Sequence, residues 1–413
     1  MKAFLSILLT LSVGALVQPL RADLLLQPND RVVVACQAPL DQGMVSVDIA
    51  AYFMMCQPVE GLDVIGMPGD GLEQFLRRIP VDVAPWNPTV ALISHGTDEG
   101  ARGKDDRDYT FYHPTYLGQT LDALKKIGVR TIVLGSATAV DSTLFENAKA
   151  YNANLAFYRD EDRDIAAKSG VPFADMLGAT LDTMTKAKAT LGDSYVFAQN
   201  GRDLRRNAQL VMAWAFLKSL GCDGNIGTIT VDLSSNSATG TPGQKIVSVQ
   251  SGTVNVESTR YPYCFTTGAN YPGVDDTAQI IPFFPFNQEL NRFLLVVKGL
   301  TAARAKVTWN GQTQEFSASD LAQGVNLASA FAGRTPFDTV FSHIVDTLWQ
   351  KQLKQFVWND STVSHLDDIR KMAPGAPVDQ LVPAMQAQST KNLAAARAMM
   401  VPIDHAIKIE PEP

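Results

Sequence analysis

From residue 29 to about residue 221 the chain alternates short β-branched runs with helical stretches, and this alternation limits the fold more than any other feature. The candidate strands are Arg31–Ala35, Leu62–Ile65, Val90–Ser94, Thr131–Leu134 and a short piece near Val171–Ala174. Each is an almost unbroken apolar run, as parallel strands buried on both faces require. Helical spacing lies between them at Met44–Met55, Gly71–Ile79, Pro114–Ile127, Ser142–Lys168, Met176–Thr190 and Asn207–Leu220. Strands that alternate with helices in this way predict a doubly wound, three-layer α/β/α sandwich over residues 23–221.

Beyond Gly221 the texture changes. Residues 222–335 carry β signals, including an Asn310-Gly311 step between two alternating runs that predicts a tight hairpin. This β-rich appendage is expected to cover an edge of the α/β sheet. A carbohydrate-contacting module or a lid are its other readings. Residues 336–413 return to helical spacing and end in Glu410-Pro411-Glu412-Pro413, which predicts C-terminal helices with a frayed tail.

The start of the chain bears on compartment. Met1-Lys2, an apolar run from Ala3 to Val17, and then Pro19 and Ala22 have the layout of a secretory signal peptide over residues 1–22, cut after Ala22. The run of about 15 residues falls short of the roughly 20 that span a bilayer. The mature protein is therefore expected in the periplasm or outside the cell, without a membrane-spanning segment. A net charge of −7 with no basic stripe argues against nucleic-acid partners. The four cysteines, Cys36, Cys56, Cys222 and Cys264, are too widely spaced for a zinc motif. Of the pairings open to them, Cys222 with Cys264 is preferred because it would tie the two regions together. Neither metal nor cofactor is expected.

In an open parallel sheet ligands bind beyond the carboxyl ends of the strands. The stretches at those ends are Cys36-Gln37-Ala38-Pro39, Gly66-Met67-Pro68-Gly69-Asp70-Gly71, His95-Gly96-Thr97-Asp98-Glu99-Gly100, and a late block Asn200-Gly201-Arg202-Asp203. In order and spacing these resemble the SGNH (GDSL-type) hydrolase superfamily over roughly residues 28–221. The resemblance implies a flavodoxin-like α/β/α fold, ester hydrolysis, and a ligand of the carbohydrate-ester kind. Residue by residue it puts Gln37 at the nucleophile, Gly69 and Asp98 at the oxyanion donors, and Asn200 and Asp203 at the late Asp and His. Of these, only Gly69 keeps the family's residue.

The chemistry of each change runs the same way. A glutamine amide is no nucleophile at neutral pH, and Asp203 cannot take and return a proton as an imidazole does. Asp98 would oppose a developing oxyanion. The expectation is an exported SGNH-type relative, inactive by the Ser-His-Asp route, whose cleft retains a glycan or ester ligand. An active esterase that uses non-standard residues is the alternative. The cleft candidates are Cys36, Gln37, Gly69, Asp70, His95, Asp98, Glu99 and Asp203. His95 could serve Cys36 as a base, although a buried thiol and a hydrogen-bonded loop histidine are the commoner fates. Asp70, Asp98, Glu99 and Asp203 could converge as a carboxylate cluster, although Asp70 as a helix cap and Glu99 in solvent is the ordinary outcome. The run Lys104–Asp108 reads as a charged loop over the cleft, with Tyr109, Phe111, Tyr112 and Tyr116 as aromatic surface beside it.

Overall fold

The computed structural model describes residues 23–37, 43–69, 71–103, 105–265, 277–361 and 363–412. The expected signal peptide and Asp70 lie outside them. Strands β1 (Arg31–Cys36), β2 (Asp63–Met67), β3 (Val90–Ser94), β4 (Thr131–Gly135) and β5 (Phe173–Ala174) form one parallel sheet in the order β2-β1-β3-β4-β5. Every residue of β3, and all of β1 except Arg31, is buried, which accounts for their unbroken apolar runs. Helices α1 (Met44–Ala51), α5 (Met176–Leu191) and α6 (Arg206–Ser219) pack on one face, against Val32, Val34, Leu92 and Val133. Helices α2 (Leu72–Arg78) and α3 (Arg107–Lys126) pack on the other, against Val33, Ile65, Ile93 and Leu134. Helix α4 (Ala148–Ser169) contributes to both cores.

Helix α3 begins at Arg107, with Pro114 inside it, so the expected start at Pro114 is corrected and the end of the charged run belongs to the first helical turn. Proline removes one helical N–H here, and Thr115 Oγ1 donates to Phe111 O in the same stretch (2.8 Å).

Helices α1 and α6 are buried almost all round, which requires a second partner on the side away from the sheet. That partner is shared: the helix Asp338–Ser361 packs against α1, and the β-rich region packs against α6. After the small hairpin β6 (Ala198–Gln199) and β7 (Asp203–Leu204) come β8 (Asn225–Asp232), β9 (Ser237–Gly240), β10 (Gln244–Gln250), β11 (Thr253–Ser258), β12 (Arg292–Lys298), β13 (Arg304–Trp309), β14 (Gln312–Ser317), β15 (Val325–Asn326) and β16 (Ile403–Glu412). They build a four-stranded sheet, β15-β12-β8-β9, and a five-stranded antiparallel sheet, β10-β11-β16-β13-β14. The Asn310-Gly311 hairpin is present, with positive φ of 48° and 73° at its two residues.

A set of polar contacts fastens this region to α1 and the π-helical turn Tyr52–Cys56 that follows it. Arg206 makes a bidentate pair with Asp48 (2.5 and 2.6 Å), and Tyr263 Oη donates to the same carboxylate (2.6 Å). Tyr261 N donates to Met55 O (2.8 Å), and Arg260 reaches Cys56 O.

Three expectations are corrected here. The tail does not fray: β16 lies between β11 and β13, with His405, Ala406, Ile407, Lys408 and Ile409 alternating inward and outward. The Cys222–Cys264 bridge is not made, and all four cysteines are free and buried. The join it was to provide comes from the Asp48–Arg206–Tyr263 contacts, while Cys264 Sγ sits 3.5 Å from Pro262 O and from Thr335 Oγ1. Finally, the β2 edge of the parallel sheet is covered not by the β-rich region but by the long helix Asp338–Ser361. Gln352 bonds both the N–H and the C=O of Gly66 (3.0 Å each), and Lys351 Nζ donates to Val64 O (2.8 Å). Val64 and Gly66 are the β2 residues whose backbone faces away from β1, so side-chain groups take the place of a neighbouring strand.

Candidate functional site

The chain leaves β1 for β2 on one side and returns to β3 on the other, so the crevice of a doubly wound sheet falls between the carboxyl ends of β1 and β3. Cys36 pairs in register with Ser94 there, and Gln37 N donates to Ser94 O (2.9 Å). The Gln37 side chain then turns across the crevice. Its carbonyl accepts from the N–H groups of Gly96 and Thr97 (2.9 Å each), and its amide donates to Asp98 Oδ2 (2.7 Å). Asp98 is completed by Arg202 on its other oxygen. The guanidinium of Arg202 also lies 5.8 Å from the centre of the Tyr151 ring, and Tyr151 Oη donates to Thr97 O (2.6 Å).

Two glycines permit this approach. A Cβ on Gly69 would lie 2.1 Å from Cys36 O, and one on Gly100 would lie 2.2 Å from the Tyr151 ring. The retained Gly69 therefore answers to the close passage of two backbones.

The hairpin that carries Arg202 is held by Asp141, a fully buried carboxylate. It accepts from Phe197 N (2.6 Å) and Lys188 Nζ (2.5 Å), and its own N–H donates to Gly201 O (2.7 Å). Burial alone would raise its pKa, but Lys188 and the backbone donors hold it below the usual carboxylate range. Asn200, at φ 49°, turns the hairpin, and its Nδ2 donates to Asp203 Oδ2 (2.9 Å). The Asn200–Asp203 pair thus satisfies itself, and Arg202 between them reaches the cleft.

The structure brings Gln37, Gly69 and Asp98 together, with Arg202 from the late block. It separates the others. Cys36 packs in the core on the α1 side, where burial pushes its thiol far above the usual range. His95 stacks on Phe75 of α2, in the opposite layer (4.8 Å between ring centres). Cys36 and His95 thus pack toward opposite layers, and burial disfavours the thiolate that a Cys36–His95 nucleophile pair would need. Glu99, expected in solvent, is buried and turns inward toward His113 Nδ1 (3.4 Å), whose Nε2 meets Asp162 (2.7 Å). Burial would lower the His113 pKa, but Asp162 and Glu99 raise it to about 10. His113 is then an imidazolium at neutral pH with both N–H groups donating, and it has no lone pair for general-base work. The proposed carboxylate cluster does not form around Asp98, Glu99 and Asp203, and among the described residues no group of three or more His, Cys, Asp or Glu is placed to hold a metal ion.

Thr97, Arg202, Tyr151 and Asp141 were not singled out from the sequence. Arg202 was the most accessible of them, as a cation in a block already suspected and with a carboxylate at Asp98 to meet it. Phe111 and Tyr112 are exposed and Tyr112 stacks on Tyr116 (5.9 Å between ring centres), while the Tyr109 side chain lies outside the described residues.

Residues 39–196 match the GDSL-like lipase/acylhydrolase family. The fold of the whole chain is similar to that of a gut microbial diltiazem-metabolizing enzyme, BT4096, at 19% identity and a TM-score of 0.73, covering 94% of this chain and 98% of that one. A catalytic mutant of Axe2, an acetylxylan esterase from Geobacillus stearothermophilus, is 16% identical and covers 48% of this chain and 96% of its own, at a TM-score of 0.39. No curated protein sequence matches the chain. The parallel sheet with its flanking helices is thus the SGNH-hydrolase fold, extended by antiparallel sheets and C-terminal helices.

Proposed function

We propose that this chain is an exported SGNH-fold protein that has given up ester hydrolysis by the serine route and presents its cleft to a glycan or ester ligand. The observation that carries this reading is the Gln37 side chain. It occupies the crevice at the switch point, takes up the Gly96 and Thr97 N–H groups, and ties Asp98 in place. Between Cys36 and Gly43 there is no serine or threonine, so a shift of register by a residue does not supply a hydroxyl nucleophile. Neither histidine of the α/β region is placed to act as its base. What is left facing outward is polar: Asp98 and Arg202, beside the ring of Tyr151. Such groups suit hydroxyl and carbonyl oxygens of a bound ligand better than they suit acyl transfer.

The test uses the purified full chain with short-chain nitrophenyl esters and a serine-directed fluorophosphonate probe. We expect neither turnover nor labelling, together with thermal stabilisation by an acetylated oligosaccharide that is lost in Asp98→Ala. Turnover that disappears on changing a cleft residue would overturn the reading in favour of an active esterase. Export is tested separately by N-terminal sequencing of the protein recovered outside the cytoplasm, which should begin at Asp23.

A further inference from the structure

The amino ends of β1 and β2 lie at the opposite end of the sheet from the cleft. There, a cavity of about 650 Å³ opens between the end of α1, the loop before β2 and the helix Leu381–Ala398. Its size falls in the range of small-molecule sites. Phe53, Met54, Val59, Leu393 and Met400 give it apolar walls. Two cations belong to its lining. Lys351 is buried, with 3% of its side chain exposed, and its ammonium bonds Asp63 Oδ1 (2.5 Å) and Val64 O (2.8 Å). An ammonium has three N–H groups, so one remains. Arg397 donates a single N–H to Leu62 O (2.6 Å) and has no acidic partner among the described residues. The acid of the lining, Glu60, is exposed.

We infer that this cavity is a binding site for an amphipathic carboxylate, an aliphatic acid of medium chain length whose tail lies along Phe53 and Leu393 and whose head meets Arg397 and Lys351. A neutral apolar ligand would leave the Arg397 guanidinium to water alone, and a cationic head would be repelled by it, since Lys351 is already paired with Asp63 while Arg397 is not. A carboxylate matches both the walls and the donors, and guanidinium binds it with two parallel N–H groups. The site shares no residue with the cleft, so its failure would leave the cleft reading untouched.

Isothermal titration of the full chain with decanoate, decanol and decyltrimethylammonium tests this. Decanoate should bind saturably, and the other two at least about tenfold more weakly, a difference of about 1.4 kcal/mol. Arg397→Gln should weaken decanoate by a similar factor while leaving the melting temperature of the free protein within a degree or two, since Arg397 is exposed. Leu393→Trp, which fills the cavity, should abolish binding. Equal binding of the three amphiphiles would overturn the inference. So would no binding of decanoate, or decanoate binding that Arg397→Gln leaves unchanged.

Discussion

Two hydrogen-bonded chains in this molecule invite comparison, one at the cleft and one inside the β-rich region. The cleft stands where a hydrolase would do its chemistry, yet it joins Gln37, Asp98 and Arg202 and holds neither serine nor histidine at its centre. The β-rich region holds a serine and a histidine in hydrogen-bond contact, Ser258 Oγ and His405 Nε2 at 2.8 Å. That pair is a dyad in distance only. Trp309 Nε1 donates to His405 Nδ1 (3.0 Å), which leaves the imidazole hydrogen on Nε2, so the ring donates to Ser258 rather than accepting its proton. Ser258 in turn donates to Gln244 Oε1 (2.5 Å), and Gln244 Nε2 donates to Arg260 O (3.0 Å). Ser258 and Trp309 are fully buried. One chain has the position and lacks the residues, while the other has the residues and lacks access and tautomer. Together they show that a constellation becomes a site only when exposure and proton placement agree.

If the interior chain is structural, breaking it should cost stability and leave any ester turnover unaltered. Trp309→Ala removes a fully buried indole stacked on Phe293 and also the donor to His405. Large-to-small changes of this kind cost about 3–5 kcal/mol, which urea unfolding would measure. A loss under about 1 kcal/mol would mean that β13 and β16 are not packed as described.

The second expectation concerns pH. Burial lowers the His405 pKa from 6.5 to about 4. Below about pH 6.5 the unfolded chain takes up a proton that the folded chain refuses, so stability falls with pH until about 4 and is complete above 6.5. The whole decline is of the order of 3 kcal/mol, and it should flatten in His405→Gln. His113 works in the opposite direction, because its raised pKa adds stability at low pH that is lost as pH rises toward about 10. A decline with acid that His405→Gln does not change would assign it to other groups.

The same contrast bears on what could be known from the sequence. The parallel strands were legible because burial on both faces writes a local signature, and Val90–Ser94 has the boundaries its apolar run suggests. β16 was equally local in pattern, with Ile403, Ile407 and Ile409 in alternation, but the inward position at 405 is a histidine and the ending Glu410-Pro411 resembles a tail. Its neutral ring is tolerated only because Trp309 and Ser258, far away in sequence, meet both nitrogens. The cleft posed the same difficulty. That Gln37 replaces a nucleophile follows from order and spacing, whereas its bonds to Gly96 and Thr97 join residues about 60 positions apart. The cysteine pairing failed for a related reason, since a count of thiols carries no distance between their backbones.

At the cleft, effects should shrink with exposure. Gln37→Ala leaves the Gly96 and Thr97 N–H groups without their acceptor in a buried place, which should cost about 1–3 kcal/mol. The gain or loss of ester turnover in the same variant is a separate readout, and we expect none. A stability change near zero would show that water replaces the amide and that the crevice is more open than its hydrogen bonds imply.

Arg202→Ala should have the smallest effect. Its side chain is 35% exposed and that of Asp98 is 56% exposed, so their ion pair is worth at most about 1 kcal/mol, and less in high salt. Its value lies in orientation, because Arg202 and Gln37 hold the two oxygens of one carboxylate from opposite sides. Removing Arg202 frees one oxygen while Gln37 keeps the other in place. The variant should therefore unfold nearly as the parent does in urea, yet lose affinity for an oligosaccharide ligand by a factor of several. A large loss of stability would mean that Arg202 closes the cleft as a structural element, which would make this chain more like the interior one than the comparison allows.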